Sequence, residues 1–245
     1  MKYRYIIILV TILAYSCDSQ NAPDCLKKAG DNTEVVLDVD SFSALEVGAD
    51  LNVVLKQGSE QLVTITAGKN LISDIYYEVA DGKLLIRNDN SCNWVRSYDF
   101  PVVKITHPNI TQIRLAGSGL ISSDGTLSFP GLSLISEDES GDFNLELDAT
   151  SLEVVSNDIT NFYLSGTVEN LRVMFASGDG RFEGGDLQVA HANIFHRGTN
   201  DIIVHTTDEL KGRIISSGDL IYVKTKPTTI SVSLENLGEL IDETE

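Results

Sequence analysis

Apolar and polar residues alternate in short runs along most of the chain, beginning near Val35. Runs such as QLVTITAG, IYYEVADG and KLLIRND are separated by Gly, Asp and Asn, the residues that turns prefer. Short alternating runs with frequent turn residues are typical of β-strands, and no stretch after residue 20 keeps a helical period. The pattern therefore predicts an all-β protein.

From about residue 110 the strand pattern repeats. An apolar residue follows each predicted corner at steps of 18 to 23 residues, at Leu120, Phe143, Phe162, Phe182, Ile202, Leu220 and Leu240. A period near 20 residues with strand-length runs is typical of stacked repeats, and the Leu and Asn pattern of leucine-rich repeats is absent. We expect a β-solenoid whose coils, over 110–242, pair through parallel main-chain hydrogen bonds about 4.8 Å apart. Residues 35–109 would supply further strands that lengthen or cap the stack.

Recurring aromatic residues mark the predicted interior of the solenoid. Phenylalanine returns at coil spacing, which predicts a stack of rings inside the coils, formed by Phe143, Phe162, Phe182 and Phe195. A strip of exposed aromatic rings for carbohydrate binding is the alternative interpretation.

Three of the predicted corners have the sequence Ser-Gly-Asp, at 140–142, 177–179 and 217–219, and GTNDIIV at 198–204 resembles them more loosely. Glycine adopts positive φ without steric cost, and Asp or Asn tolerates it and bonds to its own backbone. We therefore interpret the corner residues first as turn formers: Gly141, Asp142, Gly178, Asp179, Asp201, Gly218 and Asp219.

Stacked corners also raise the alternative of a metal site. Coils in register would align the carboxylates in a ladder that calcium could bridge, formed by Asp142, Asp179, Asp201 and Asp219, with Glu239 beyond them. The glycine-rich calcium nonapeptide is absent, and no other metal or cofactor is expected from the residue spacing.

The N-terminus has the features of an export signal. Residues 1–16, MKYRYIIILVTILAYS, combine two early basic residues with an apolar run too short to span a bilayer. Cys17 follows in a context that resembles the bacterial lipobox, which predicts lipid acylation; an ordinary cleaved signal is the alternative. Residues 17–34 are polar and would form a tether. In an oxidising compartment, Cys25 and Cys92 would pair in a disulfide or remain two free thiols.

The formal net charge of −18 narrows the range of partners. Nucleic-acid binding needs clustered Lys and Arg, which this composition lacks, so we expect no nucleic-acid partner. Electrostatic docking on an anionic lipid surface is disfavoured for the same reason.

No catalytic motif emerges from the sequence. Ser118 in LAGSGL lacks the spacing of a nucleophile elbow. His196 and His205 could face each other across a corner, but surface histidines are the simpler interpretation. The densest acidic cluster, Glu137 to Glu139 with Asp142, has no Lys or Arg between Arg114 and Arg172. We expect no enzyme activity.

The chain resembles a known family in its lead NAPDCLKKAGD, its strand FSALEVGADLNVVLKQG, the stretch CNWVRSYDFPVVKITHPNITQIRLAGSG and the repeated SGD corners. These features resemble the auto-transporter adhesins with a head GIN domain. The resemblance implies that 35–245 is a right-handed, single-stranded parallel β-helix of a Gram-negative bacterium, lipid-anchored in the outer membrane or at the cell surface. The family offers no catalytic residues to carry over.

The predicted function is that of an envelope-anchored binding or adhesion module. Its partners would be the membrane, through the lipid, and a host protein, a glycan, another envelope component or a second copy of the chain. A polysaccharide-active enzyme on the same scaffold and a purely structural envelope protein are the alternatives.

Overall fold

The computed structural model describes residues 29–90, 99–137 and 140–244. These ranges contain strands and turns but no α-helix, and only a 3-10 turn at Ile72–Asp74. No helix in them has the length and apolar content that a bilayer span requires. The strands are β1 (Asn32–Leu37), β2 (Ala44–Gly48), β3 (Asn52–Gln57), β4 (Leu62–Gly68), β5 (Ile75–Ala80), β6 (Lys83–Asn88), β7 (Val102–His107), β8 (Gln112–Ala116), β9 (Leu120–Ser123), β10 (Gly131–Ser136), β11 (Asp142–Ser156), β12 (Asn161–Phe175), β13 (Phe182–His196), β14 (Ile202–Ile214), β15 (Leu220–Lys224), β16 (Thr229–Leu234) and β17 (Leu240–Thr244).

From β8 onward each coil pairs in parallel with the next. The strands β11, β12, β13 and β14 pair in that order over most of their lengths, and β15 and β16 continue the stack on β14. Phe162 pairs with Phe182, and Phe182 pairs with Ile202, so the coil step is the 20 residues that the sequence predicted. The fold is a β-solenoid of about seven turns, which confirms the predicted class.

All four long strands are interrupted at the same place in the stack, at Thr150, Glu169, Ala190 and Thr207, and this bend separates two faces of the solenoid. Thr150 and Ser151 are both exposed, and Thr150 is skipped in the β11–β12 register, so the alternation of the strand is interrupted there. We call the surface before the bend the first face and the surface after it the second face. The first face continues into β9, β15 and β17, and the second face continues into β8, β10 and β16.

The N-terminal strands do not stack in chain order. β2 pairs in parallel with β6 on one side and β8 on the other, and β3 lies between β7 and β9 in the same way. The first coil in the sequence therefore lies inside the stack. Antiparallel pairs of β4 with β7, β1 with β4 and β5 with β6 close this end. The last residues of the predicted tether, from Asn32, already belong to β1.

The interior confirms most of the predicted aromatic stack. Phe143 and Phe162 are buried, with ring centroids 5.0 Å apart and an interplanar angle of 7°, and Phe182 follows them in register. Phe195 was assigned wrongly, because it alternates with the buried Ile194 and His196 and points outward.

The register of β9 shows that the first residue of the predicted repeat was placed one position too early. Phe143 pairs with Ile121, which is buried, whereas the predicted Leu120 pairs with Asp142 and is 38% exposed. Successive side chains of a strand point to opposite sides, so a shift of one residue exchanges interior and exterior.

One corner of the interior is polar. The buried Asp158 carboxylate accepts hydrogen bonds from the Ser136 hydroxyl at 2.6 Å and the Ser156 hydroxyl at 2.9 Å, and from the Thr160 amide at 3.0 Å. Ser136 also lies 2.7 Å from the Thr160 hydroxyl. Hydrogen bonding of these groups makes such burial tolerable.

The corner glycines serve two different needs. Gly178 has a φ of +90°, as expected of a turn glycine. Gly141 and Gly218 do not have positive φ, so the predicted reason is wrong for them. A Cβ at Gly218 would lie 2.2 Å from the Asn200 carbonyl oxygen, so the close approach of adjacent coils excludes any side chain.

Candidate binding surface

The predicted carboxylate ladder is interrupted in the structure. Asp142 precedes Phe143 as Asn161, Arg181 and Asp201 precede the corresponding residues of the next coils, so an amide and a guanidinium lie between the two carboxylates. Asn161 donates to Asp142 at 2.9 Å, and Arg181 contacts Asp201 at 3.4 Å.

The remaining predicted carboxylates are bound by the protein itself. The Glu239 amide donates to Asp219 at 2.8 Å, whereas Asp179 lies at another corner position, where the Thr199 hydroxyl donates to it at 2.7 Å. In the described ranges, no group of three or more His, Cys, Asp and Glu residues could hold a metal ion. The four-residue calcium ladder therefore does not form.

The second face carries a column of outward-facing apolar side chains, one on each of four consecutive coils. The register aligns Ile135, Val155, Met174 and Phe195, all half-buried, and we call them the apolar column. Outward positions of a solenoid are normally polar, so an aligned apolar set requires an explanation other than the core.

Cationic side chains surround the apolar column. Arg114 and Arg213 occupy its two ends in the same register, and Arg172, Arg197 and Lys211 lie beside it. Four of the five pair with a glutamate: Arg114 with Glu137, Arg172 with Glu153, Lys211 with Glu209 and Arg213 with Glu235. Exposed pairs of this kind contribute little to stability, so they remain free to exchange partners.

A shallow groove runs across the coils beside the apolar column. It encloses about 540 Å³ and is lined by Glu153, Asn170, Arg172, His191, Asn193 and Lys211 above a floor of leucines. Cationic, anionic and amide groups thus alternate along the coil axis. Such a surface offers hydrogen bonds to an elongated polar ligand.

The first face differs in charge. Its outward side chains include an apolar set at Ile203, Ile221 and Ile241 and many carboxylates, those of Asp142, Glu146, Glu183, Asp186, Asp201, Asp219, Glu239 and Glu243. Lys224 holds the pKa of the Asp186 carboxyl below its usual range through a 2.6 Å hydrogen bond. Tyr163, 44% exposed, lies between Asn144 and Glu183 in the register, so among the described residues of this face it is not part of an aromatic strip.

The residues considered for catalysis have structural partners. The Ser118 hydroxyl donates to Asp50 at 2.7 Å, and Glu137 pairs with Arg114 of the preceding coil at 2.9 Å. The sequence analysis missed this pair because Arg114 and Glu137 are 23 positions apart in the chain but lie on adjacent coils. His196 is fully buried, and His205 lies on another side, where its Nε2 contacts the Thr225 hydroxyl at 3.3 Å.

Burial lowers the pKa values of three histidines. It lowers the pKa of His196, and the amide of Gly198 donates to Nδ1 while Nε2 has no hydrogen-bond partner among the described residues. Burial likewise lowers the pKa values of His107 and His205. His107 and His196 are buried, whereas His205 is only partly buried.

Several predicted features fall outside the described residues. Cys17, Cys25 and Cys92 lie there, as do the signal 1–16 and the acidic residues Asp138 and Glu139. Acylation and the disulfide therefore stay predictions.

Parallel stacked coils define the chain as a β-solenoid, and its apolar and cationic second face is a candidate binding surface. The family model described as "Putative auto-transporter adhesin, head GIN domain" matches residues 41–227, and the chain belongs to that family. No curated protein sequence matches it.

Solved structures share the fold. A "putative adhesin" from Bacteroides fragilis NCTC 9343 superposes with a TM-score of 0.75 at 20% identity, covering 86% of this chain and 97% of that one. A "putative lipid binding protein" from Parabacteroides distasonis ATCC 8503 gives 0.61 at 18% identity, with coverages of 86% and 97%. A "putative adhesin" from Parabacteroides merdae ATCC 43184 gives 0.62 at 18%, with coverages of 88% and 97%.

Proposed function

We propose that the protein is an exported, lipid-anchored envelope protein that acts as a non-catalytic binding or adhesion module through its second face. The apolar column carries this proposal, because four aligned apolar side chains on an outer surface have no role in the core. The family membership agrees with a module of this kind.

The ligand would lie along the coil axis. The column and the groove beside it both cross consecutive coils, so an elongated ligand would meet one apolar side chain and several polar groups at each coil. A glycan chain fits these contacts, because sugars present an apolar face and a rim of hydroxyls. The acidic first face would repel anionic partners.

A binding screen tests the proposal. The exported chain carrying Cys17→Ser, applied to a glycan array with host matrix proteins, is expected to bind. Phe195→Ser should weaken that binding about tenfold or more, since aromatic anchors dominate interfaces. The matched control is Tyr163→Ser, which removes an exposed ring from the first face and should leave binding unchanged.

Equal losses in both variants would contradict the assignment of the second face. If the chain binds neither a glycan nor a matrix protein, and if a deletion strain has a leaky envelope, the structural alternative would be favoured.

The anchor needs its own test. Cells fed a labelled fatty acid should incorporate the label into the native chain and not into the Cys17→Ser variant. Incorporation into neither would indicate an ordinary cleaved signal.

A further inference from the structure

The last coil exposes an unprotected strand. Among the described residues β16 pairs only with β14, so its other edge carries free main-chain groups. The side chains of β16 that face the interior are only partly covered: Ile230 and Val232 are half-buried, and Leu234 is 50% exposed. Leu237, in the corner that follows, is 80% exposed.

The free edge consists of the amides and carbonyls of Ile230, Val232 and Leu234. The Glu235 amide donates to the Ile214 carbonyl of β14. Successive residues of a strand direct their main-chain groups to opposite edges, so the three inward-facing residues direct theirs away from β14. Apolar side chains and unpaired main-chain groups therefore occur on the same three residues.

The composition of β16 favours pairing rather than preventing it. Its sequence, TISVSL, has no charge, no Pro and no Gly in a chain with a net charge of −18. Exposed edges are usually protected by charged residues or proline. The neighbouring end strand β17 has such protection in Asp242 and Glu243, whereas β16 has none.

We propose that β16 pairs antiparallel with β16 of a second copy, about a twofold axis at Val232. In this register Val232 faces Val232 of the partner, and Ile230 faces Leu234. The main-chain groups of all three residues point toward the free edge. Two such residues that face each other in an antiparallel pair exchange both of their main-chain hydrogen bonds. The apolar side chains of both copies then lie on the same side, so the two interiors join into one core.

Charge favours this antiparallel arrangement. The acidic corner Glu235 to Glu239 follows the end of β16, and the uncharged Thr228 and Thr229 begin it. Antiparallel pairing sets the acidic corner of each copy against the uncharged start of the other. A parallel pair would bring the two acidic corners together.

Sedimentation velocity over a concentration series tests the proposal. The exported chain carrying Cys17→Ser, which removes any acyl anchor, should shift from monomer to dimer and go no further. Leu234→Lys puts a charge into the apolar contact and should weaken dimerisation about tenfold or more. Ser233→Lys, the matched control, adds the same charge to the outward side and should retain the dimer.

Hydrogen exchange supplies a readout independent of folding. Dimerisation should slow exchange at the amides of Ile230, Val232 and Leu234, with no change at Ser231 or Ser233, which already face β14. A chain that stays monomeric throughout, a series growing beyond dimers, or a dimer equally weakened by both lysine substitutions would overturn the proposal.

Discussion

At the scale of single residues, the spacing between coils decides what is allowed. Gly218 lies against the preceding coil, where a Cβ would be 2.2 Å from the Asn200 carbonyl oxygen and 2.3 Å from Nε2 of His196. Neither atom can move far, since one is backbone and the other belongs to a fully buried ring. Tight coil stacking, rather than backbone φ, therefore makes this position glycine.

We expect Gly218→Ala to lower the free energy of unfolding by about 1–3 kcal/mol, because overpacking forces adjacent coils apart. Urea unfolding would measure it. Gly185→Ala is the control, since the atom nearest to the added methyl would lie 3.6 Å away and the change should cost under about 0.5 kcal/mol. Equal effects would show that coil spacing is not the cause.

His196 makes stability depend on pH. Burial holds its folded-state pKa below the ordinary 6.5, so the unfolded chain binds the proton more readily. The contribution of His196 to the free energy of unfolding should therefore be fully present above pH 6.5. It should decline as the pH falls through 6.5 toward the lower pKa of the folded state. His196→Phe, which keeps a ring beside Phe175, should reduce this decline in urea unfolding at several pH values.

Part of the pH dependence should survive in that variant, because His107 and His205 also have lowered pKa values. An identical decline in the native chain and the His196→Phe variant would contradict the assignment.

At the scale of elements, the corner before β12 is held by its polar network. Asp158→Ala would leave the hydroxyls of Ser136 and Ser156 and the amide of Thr160 buried without this acceptor. We expect a loss of about 3 kcal/mol in the free energy of unfolding. Asp179→Ala, at an exposed corner position of the next coil, should cost less than about 1 kcal/mol.

Thermal and urea unfolding of the two variants would compare them directly. A loss at Asp158 no larger than that at Asp179 would mean that other groups can replace this carboxylate as the acceptor for the three donors.

At the scale of the whole molecule, stack position should govern local stability. Solenoid coils gain stability from their neighbours, so an end coil is opened more easily than an inner one. In dilute, monomeric protein we expect amides of β16 and β17 to exchange faster than those of β12. β2 lies near the start of the chain but inside the stack, so it should exchange slowly, like β12. Fast exchange in β2 would contradict the observed stack order.

The sequence by itself determined the β-solenoid, its coil step and most of its interior. Alternation and a 20-residue period express the local geometry of strands and corners, and Phe143, Phe162 and Phe182 follow from them directly. Only the tertiary structure decided that Phe195 points outward into an apolar column, that Arg114 meets Glu137, and that β2 lies between β6 and β8. A one-residue shift reverses the direction of a side chain, and contacts between coils join residues that are remote in sequence, so neither can be read from local pattern.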